Sequence, residues 1–220
     1  MPVICARYVA PFFLCSLLMV LATPGNAADA SNTKRQYEVA PVPSWVRTQI
    51  PQLSGAAATE ASDGVEYLAL DRQTRLTAHG SDAYWRMVKR VVSETGVDEV
   101  STMTIDFDPH ADRVSLHSVM LRRGNRQVEQ LGVARITVLR RESQLESGLL
   151  DGELTLSLVL EDVRPGDVID YSYTTHHYDE VLGNRFFDTF TTQWSSPVKW
   201  SRLRLLQPQD RTLGIQQPET

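Results

Sequence analysis

The sequence predicts an all-β fold, mainly antiparallel and sandwich-like. From Gly64 onward, apolar and polar residues alternate with a period of two. The alternation is cleanest in GELTLSLVLEDV, where Leu154, Leu156, Leu158 and Leu160 fall on one side and Glu153, Thr155, Ser157 and Glu161 largely on the other. Such segments recur at short intervals with turn residues between them, Pro165-Gly166 and Gly124-Asn125 among them. Half-buried strands of an antiparallel sandwich or barrel are written in this way.

The chain opens with Arg7 ahead of a nearly uninterrupted apolar run, Tyr8 to Ala22, and then TPGNA. This is the order of a secretory signal peptide, with cleavage expected after Ala27 and Ala30 as the second choice. The run contains Pro11 and is shorter than the ~20 apolar residues a membrane-spanning helix needs. Both cysteines, Cys5 and Cys15, fall inside this leader. The processed chain therefore has no disulfide and no thiol nucleophile. Formal net charge is −5 and becomes one unit more negative when Arg7 leaves with the leader. With no Lys/Arg cluster, nucleic acid and anionic lipid are not expected as partners.

Residues 28–63 read as an extended arm and linker. Pro41, Pro43 and Pro51 exclude regular helix, SGAAATEASDG is rich in small residues, and SWVRTQI could carry one short element with Trp45 docked on the body. Residues 64–210 form the predicted sandwich and 211–220 a tail. VEYLALD is its first strand. Residues 81–94 fit a helix with Ser81 as cap and Tyr84, Val88 and Val91 on one stripe, but their two-sided β-branched content favours a strand. Further strands are expected in STMTIDFD, RVSLHSVMLRR, VARITVLRRE, Glu153–Glu161, Asp167–Thr175 and VKWSRLRLLQP. RFFDTFTTQW is a further candidate, with Phe186, Phe190 and Trp194 on a common side. In DVIDYSYTT, Ile169, Tyr171 and Tyr173 oppose Asp170, Ser172 and Thr174.

The segment DVRPG joins two of these strands. A type II turn takes Pro at its second position and needs positive φ at its third, which Gly166 supplies. Asp167 then starts the next strand with its carboxylate placed to accept a turn N–H. It reads as a structural corner, because catalysis would need an acid–base partner that nothing nearby provides.

Other candidates were weighed in the same way. TTHHYDE holds His176, His177 and Asp179, a weak metal candidate, since adjacent strand residues point to opposite faces and at most one histidine could share a site with Asp179. IDFDPHAD places Asp106, Asp108, His110 and Asp112 at alternate positions but lacks the glycine and closing acid of a calcium loop. No Gly-x-Ser-x-Gly elbow occurs, and nothing picks out a scattered Ser/His/Asp set. The carboxylates of Glu161 and Asp162, neighbours on the chain, diverge. Arg122 to Arg126 (RRGNR) is a hairpin turn first and an anion site second. No catalytic residue, metal or cofactor is expected.

Taken in order, PVPSWV (41–46), IDFDP (105–109), VMLRRGN (119–125), LEDVRPGDVIDYSYT (160–174) and SSPVKWSRLRLLQP (195–208) resemble a bacterial envelope family, the domain of unknown function 3857. The resemblance covers most of residues 36–210. It implies a β-rich, non-catalytic domain that commonly precedes a transglutaminase-like core; the Cys/His/Asp triad belongs to that following core, so no catalytic residue is carried over to this sequence. The expected function is an exported binding or scaffolding module for a protein or envelope ligand, a transglutaminase-like domain included, not embedded in a membrane after processing. The alternative is the N-terminal accessory part of a transglutaminase-like cysteine peptidase or cross-linking enzyme. A metal-dependent activity at His176, His177 and Asp179 is a third reading. Open sheet edges would also admit an added partner strand.

Overall fold

Where side chains alternate in the sequence, the backbone is pleated almost throughout. The computed structural model describes residues 37–52, 61, 63–140, 152–178 and 185–216, and the predicted leader 1–27 lies outside them. The described chain runs β1 (Tyr37–Val39), β2 (Val65–Thr77), β3 (Gly80–Val91), α1 (Glu94–Ser101), β4 (Thr102–Phe107), β5 (Asp112–Arg123), β6 (Arg126–Glu129), β7 (Arg135–Arg140), β8 (Leu154–Val159), β9 (Val168–Tyr178) and β10 (Ser201–Leu206). The larger sheet has the order β1-β5-β9-β3-β2-β10, with β6 also on β5, and the smaller is β4-β8-β7. Only β1–β5 and β2–β10 pair in parallel. The fold is all-β and mainly antiparallel, as predicted.

The core lies between the two sheets. Ile105, Phe107, Leu156 and Leu158 of the smaller sheet meet Val114, Leu116, Val119, Leu121, Ile169 and Tyr171 of the larger. Each aliphatic side chain buried there stabilises the fold by roughly 1.5–3 kcal/mol. No helix among the described residues is long and apolar enough to cross a membrane.

The Pro-Gly corner has the expected form. Gly166 has φ +91°, and the Asp167 amide donates to Arg164 O at 3.1 Å. The Asp167 carboxylate accepts the Arg164 amide at 2.8 Å. It also accepts two bonds from the Arg123 guanidinium at 2.7 Å, an ion pair invisible in the local sequence. Asp167 is therefore a buried staple for the corner.

Residues 80–91 are a strand, settling the helix-or-strand alternative for that part of 81–94. RFFDTFTTQW is not a strand. Residues 188–190 are held instead by Arg72, which pairs with Asp188, donates to Thr189 O at 3.0 Å and lies between the rings of Trp85 and Phe190. SWVRTQI forms no helix or strand, only a turn at 44–46 in which the Val46 amide donates to Pro43 O. Helix α1 was not expected from the sequence.

The largest departure concerns the polar side of the larger sheet. Asp170, Ser172 and Thr174 alternate with apolar residues and look solvent-facing in the sequence, yet they are buried, as are Asp71, Gln73 and Ser115. Buried polar groups need partners. Residues 40–50 of the arm supply many of them.

Candidate functional site

The polar face is laid out in rows across the larger sheet. Register places Arg204, Gln73, Tyr84, Thr174, Ser115 and Glu38 in one row, and Arg202, Asp71, Arg86, Ser172 and Ser118 in the next. Long polar side chains thus stand at alternate positions of β10, β2 and β3. The Pro-rich arm lies over them as a strap. Pro41, Pro43 and Pro51 keep it extended and lack N–H groups that would otherwise need acceptors.

Side chains from the sheet hold the strap by its main chain. Gln73 acts as a surrogate backbone, accepting the Arg47 amide at 3.0 Å and donating to Arg47 O at 2.8 Å. Arg204 donates to Trp45 O at 2.8 Å and Arg86 to Thr48 O at 2.9 Å. Arg202 donates to Gln49 O at 3.1 Å and also to Arg47 O. His117 reaches Ala40 O at 2.9 Å. Five strap carbonyls are thereby engaged by sheet side chains. Apolar anchors accompany them: Val46 is buried, Ile50 packs on Leu68, Ala69 and Val88, and the Trp45 ring lies under Arg75.

Carboxylates behind these donors fix their aim. Asp71 takes two bonds from Arg202, at 2.8 and 2.5 Å, and one from Gln73 at 3.0 Å. Asp170 takes two from Arg86, at 2.9 and 2.8 Å, and is also bonded by Arg122. These hydrogen bonds raise the already high pKa of Arg86 and Arg202, so both stay charged. Arg204 is shifted down, by burial first and then by the neighbouring Arg47 and Arg202 charges.

His117 owes its reach to a bulge, which leaves it as the extra residue between Leu116 and Ser118. Burial pushes its pKa below the ordinary histidine range, while the Ala40 carbonyl opposes the shift and the His176 charge adds to it. As a neutral ring it donates from Nδ1 to Ala40 and accepts from the Thr174 hydroxyl on Nε2, at 2.7 Å.

The structure also assembles a set the sequence did not pick out. Asp82 Oδ1 lies 2.8 Å from His176 Nδ1, and His176 Nε2 lies 3.0 Å from Ser115 Oγ. In outline this is an acid–histidine–serine relay. Ser115, however, is 3 % exposed and donates its single hydroxyl proton to Glu38 at 2.9 Å. While that proton rests on Glu38 it is not shared with His176 Nε2, as a general base would require. The chain of bonds ties β1 to the sheet through Glu38.

Asp82 makes the tie pH-sensitive. Burial pushes its carboxyl up, but bonds and charge from His176 and Arg75 together outweigh burial and hold it below the usual carboxylate range. A lowered folded pKa gives stability that is present above the unfolded pKa of about 4 and is lost as pH falls through the folded value. Asp82→Asn is expected to cost roughly 1.5–3 kcal/mol at pH 7, the value of a hydrogen bond to a charged group. Urea unfolding across pH should show the gap to the parent holding to about pH 5 and closing below about pH 4. A gap independent of pH would show that the charge contributes nothing.

His177 points to the other face, as an adjacent strand residue must, and meets Asp112 at 2.7 Å. The predicted metal candidates therefore divide: His176 and His177 do not converge, and Asp179 lies outside the described residues. The alternate carboxylates of IDFDPHAD are likewise spoken for. Asp106 accepts the Thr155 hydroxyl at 2.5 Å, Asp108 caps its turn through the His110 amide at 2.8 Å, and Asp112 also accepts the Asp108 amide. A cavity of about 460 Å³ opens on this side, with Arg72, Trp85, Tyr173, Phe186, Asp112 and His177 in its wall.

Comparison with known proteins follows the same lines. A family model described as "Domain of Unknown Function with solved-structure structure (DUF3857)" matches residues 78–220. A solved protein from Parabacteroides distasonis, described as a "putative protease", superposes with a TM-score of 0.46 at 16 % identity, over 52 % of this chain and 23 % of that one. The present chain thus spans about a quarter of that protein's length. Among curated proteins none matches.

Proposed function

This chain belongs to the DUF3857 family, and we propose that here the fold serves as an exported, non-catalytic binding or scaffolding module that grips extended polypeptide. One observation supports the reading above the others: the larger sheet already grips such a segment, its own strap, through main-chain carbonyls. Contacts to main chain tolerate many sequences, while the seats of Trp45, Val46 and Ile50 add preference. The leader-like N-terminus supports an envelope or secreted location, and the family resemblance supports a transglutaminase-like domain as one class of partner. Against catalysis at Ser115 stand its burial and the bond of its hydroxyl to Glu38.

The test uses a labelled peptide with the sequence of residues 40–52 and a full-length variant, Trp45→Ala/Val46→Asp, whose own strap is loosened. The peptide is expected to bind this variant saturably, and adding Arg202→Gln should weaken binding about tenfold or more. Absence of binding to the loosened variant would refute the reading. Turnover of peptides or peptidoglycan fragments that Ser115→Ala abolishes would also refute it.

A further inference from the structure

At the end of the strap, where Ile50, Pro51 and Gln52 leave the sheet, lies a second cavity of about 470 Å³. Its floor is aliphatic: Leu68, Val88 and Val168, with Ile50 at one side. Its wall carries three arginines, Arg86, Arg90 and Arg122. Gly124 and Gly166, which bring no side chains, border the opening.

Charge around this cavity does not balance. Asp170 pairs with Arg86 and Arg122, and Glu66 pairs with Arg90 at 2.7 Å and Lys199 at 2.6 Å. Among the described residues, four cations therefore share two carboxylates. Donors are also left over. Arg86 has all three nitrogens bonded, Nε and Nη2 to Asp170 and Nη1 to Thr48 O. Among the described residues Arg122 bonds only through Nη2, which leaves its Nη1 unused. Arg90 bonds only through Nη1. Two guanidiniums with unused edges above an aliphatic floor select an anion with an apolar body. Planar guanidinium edges match a carboxylate through paired hydrogen bonds, and the volume is that of a small-ligand site.

We propose that this cavity binds the free carboxylate end of a peptide whose last side chain is aliphatic, the carboxylate on Arg90 and Arg122 and the side chain on Leu68, Val88 and Val168. The site uses the strap in place, with Ile50, Pro51 and Gln52 in its lining, and does not need the strap to be displaced. It can hold even where the binding of extended peptide described above does not.

The test titrates the intact chain with N-acetyl-leucine, N-acetyl-leucinamide, octanoate and inorganic phosphate, followed by chemical shifts of the Val88 and Val168 methyl groups. N-acetyl-leucine is expected to bind with a Kd on the order of 1 mM, about tenfold tighter than the amide. Arg122→Gln should weaken it about tenfold, and it leaves Asp170 paired with Arg86. Gln52→Glu, at an exposed position in the same wall, should also weaken it with no change in thermal stability. Equal response to acid and amide, or none to either, would overturn the proposal. So would unaltered affinity in both variants. Tighter binding of octanoate would point to a lipid-derived acid instead, and phosphate displacing N-acetyl-leucine at equal concentration would remove the carboxylate assignment.

Discussion

Replacing Asp71 by alanine is expected to cost about 3 kcal/mol and to release the strap. The carboxylate is 0 % exposed and accepts three hydrogen bonds, two from Arg202 and one from Gln73. Breaking a buried ion pair by removing one partner costs about 3–5 kcal/mol, because the other charge stays behind unpaired. Arg202 keeps 20 % of its side chain exposed, which places this case at the low end. The loss should not remain local. Arg202 and Gln73 are the two side chains that hold Arg47 and Gln49, and without Asp71 neither has a fixed aim. Hydrogen exchange at the Arg47 amide should therefore rise toward that of an unprotected amide, while amides of β9 keep their protection until global unfolding. Asp71→Asn retains an acceptor and should lose about half as much. A stable Asp71→Ala protein with a protected Arg47 amide would show that the strap is held by its apolar anchors alone.

Asp71 also shows where the sequence stops being informative. Alternation in β2, β8 and β9 announces two unlike faces, and the core side was read correctly from Leu156, Leu158, Ile169 and Tyr171. A period of two does not say what covers the second face. That cover is a Pro-rich segment bonded by side chains 26 to 159 residues away in the chain, and its own pattern shows only that it is extended. A signal was present in DRQTR and SRLRLL, where Asp71, Gln73, Arg202 and Arg204 stand at alternate positions. Such spacing puts charges of both signs on one face of neighbouring strands, which burial would pair and solvent would leave apart. RFFDTFTTQW shows the converse. Its apolar spacing suits a strand, but the segment is held by the Arg72 side chain, through Thr189 O and the Phe190 ring. Spacing does not show a partner so far away in the chain. The DVRPG corner was legible because its geometry is fixed by two adjacent residues. Helix α1 was not, since eight residues with a glycine and two valines carry too little periodicity or propensity to declare it.

Gly96→Ala should destabilise the protein by roughly 2–3 kcal/mol, reversing the sign that helix propensity predicts. In an ordinary helix alanine is better than glycine by about 1 kcal/mol. Here a Cβ on Gly96 would sit 1.9 Å from Gly64 O and 2.6 Å from its carbonyl carbon. The obstacle is main chain, not a flexible tip, and Gly64 cannot withdraw freely. Its φ is +70°, and its carbonyl accepts the Val92 amide at 2.8 Å, fixing the end of β3 to the start of β2. Accommodating the methyl must push α1 off the sheet, loosening Val100 and the partly buried Val97 from the core. Overpacking of this kind costs about 1–3 kcal/mol beyond any propensity gain. Thr95→Ala, one residue earlier and exposed, meets no obstacle and should be neutral to stabilising by a few tenths of a kcal/mol. Chemical denaturation of the two variants side by side separates contact from propensity. If Gly96→Ala matched or exceeded the parent in stability, the close approach of α1 to Gly64 would not exist in solution, and the sheet would have to close that end of its core by other means.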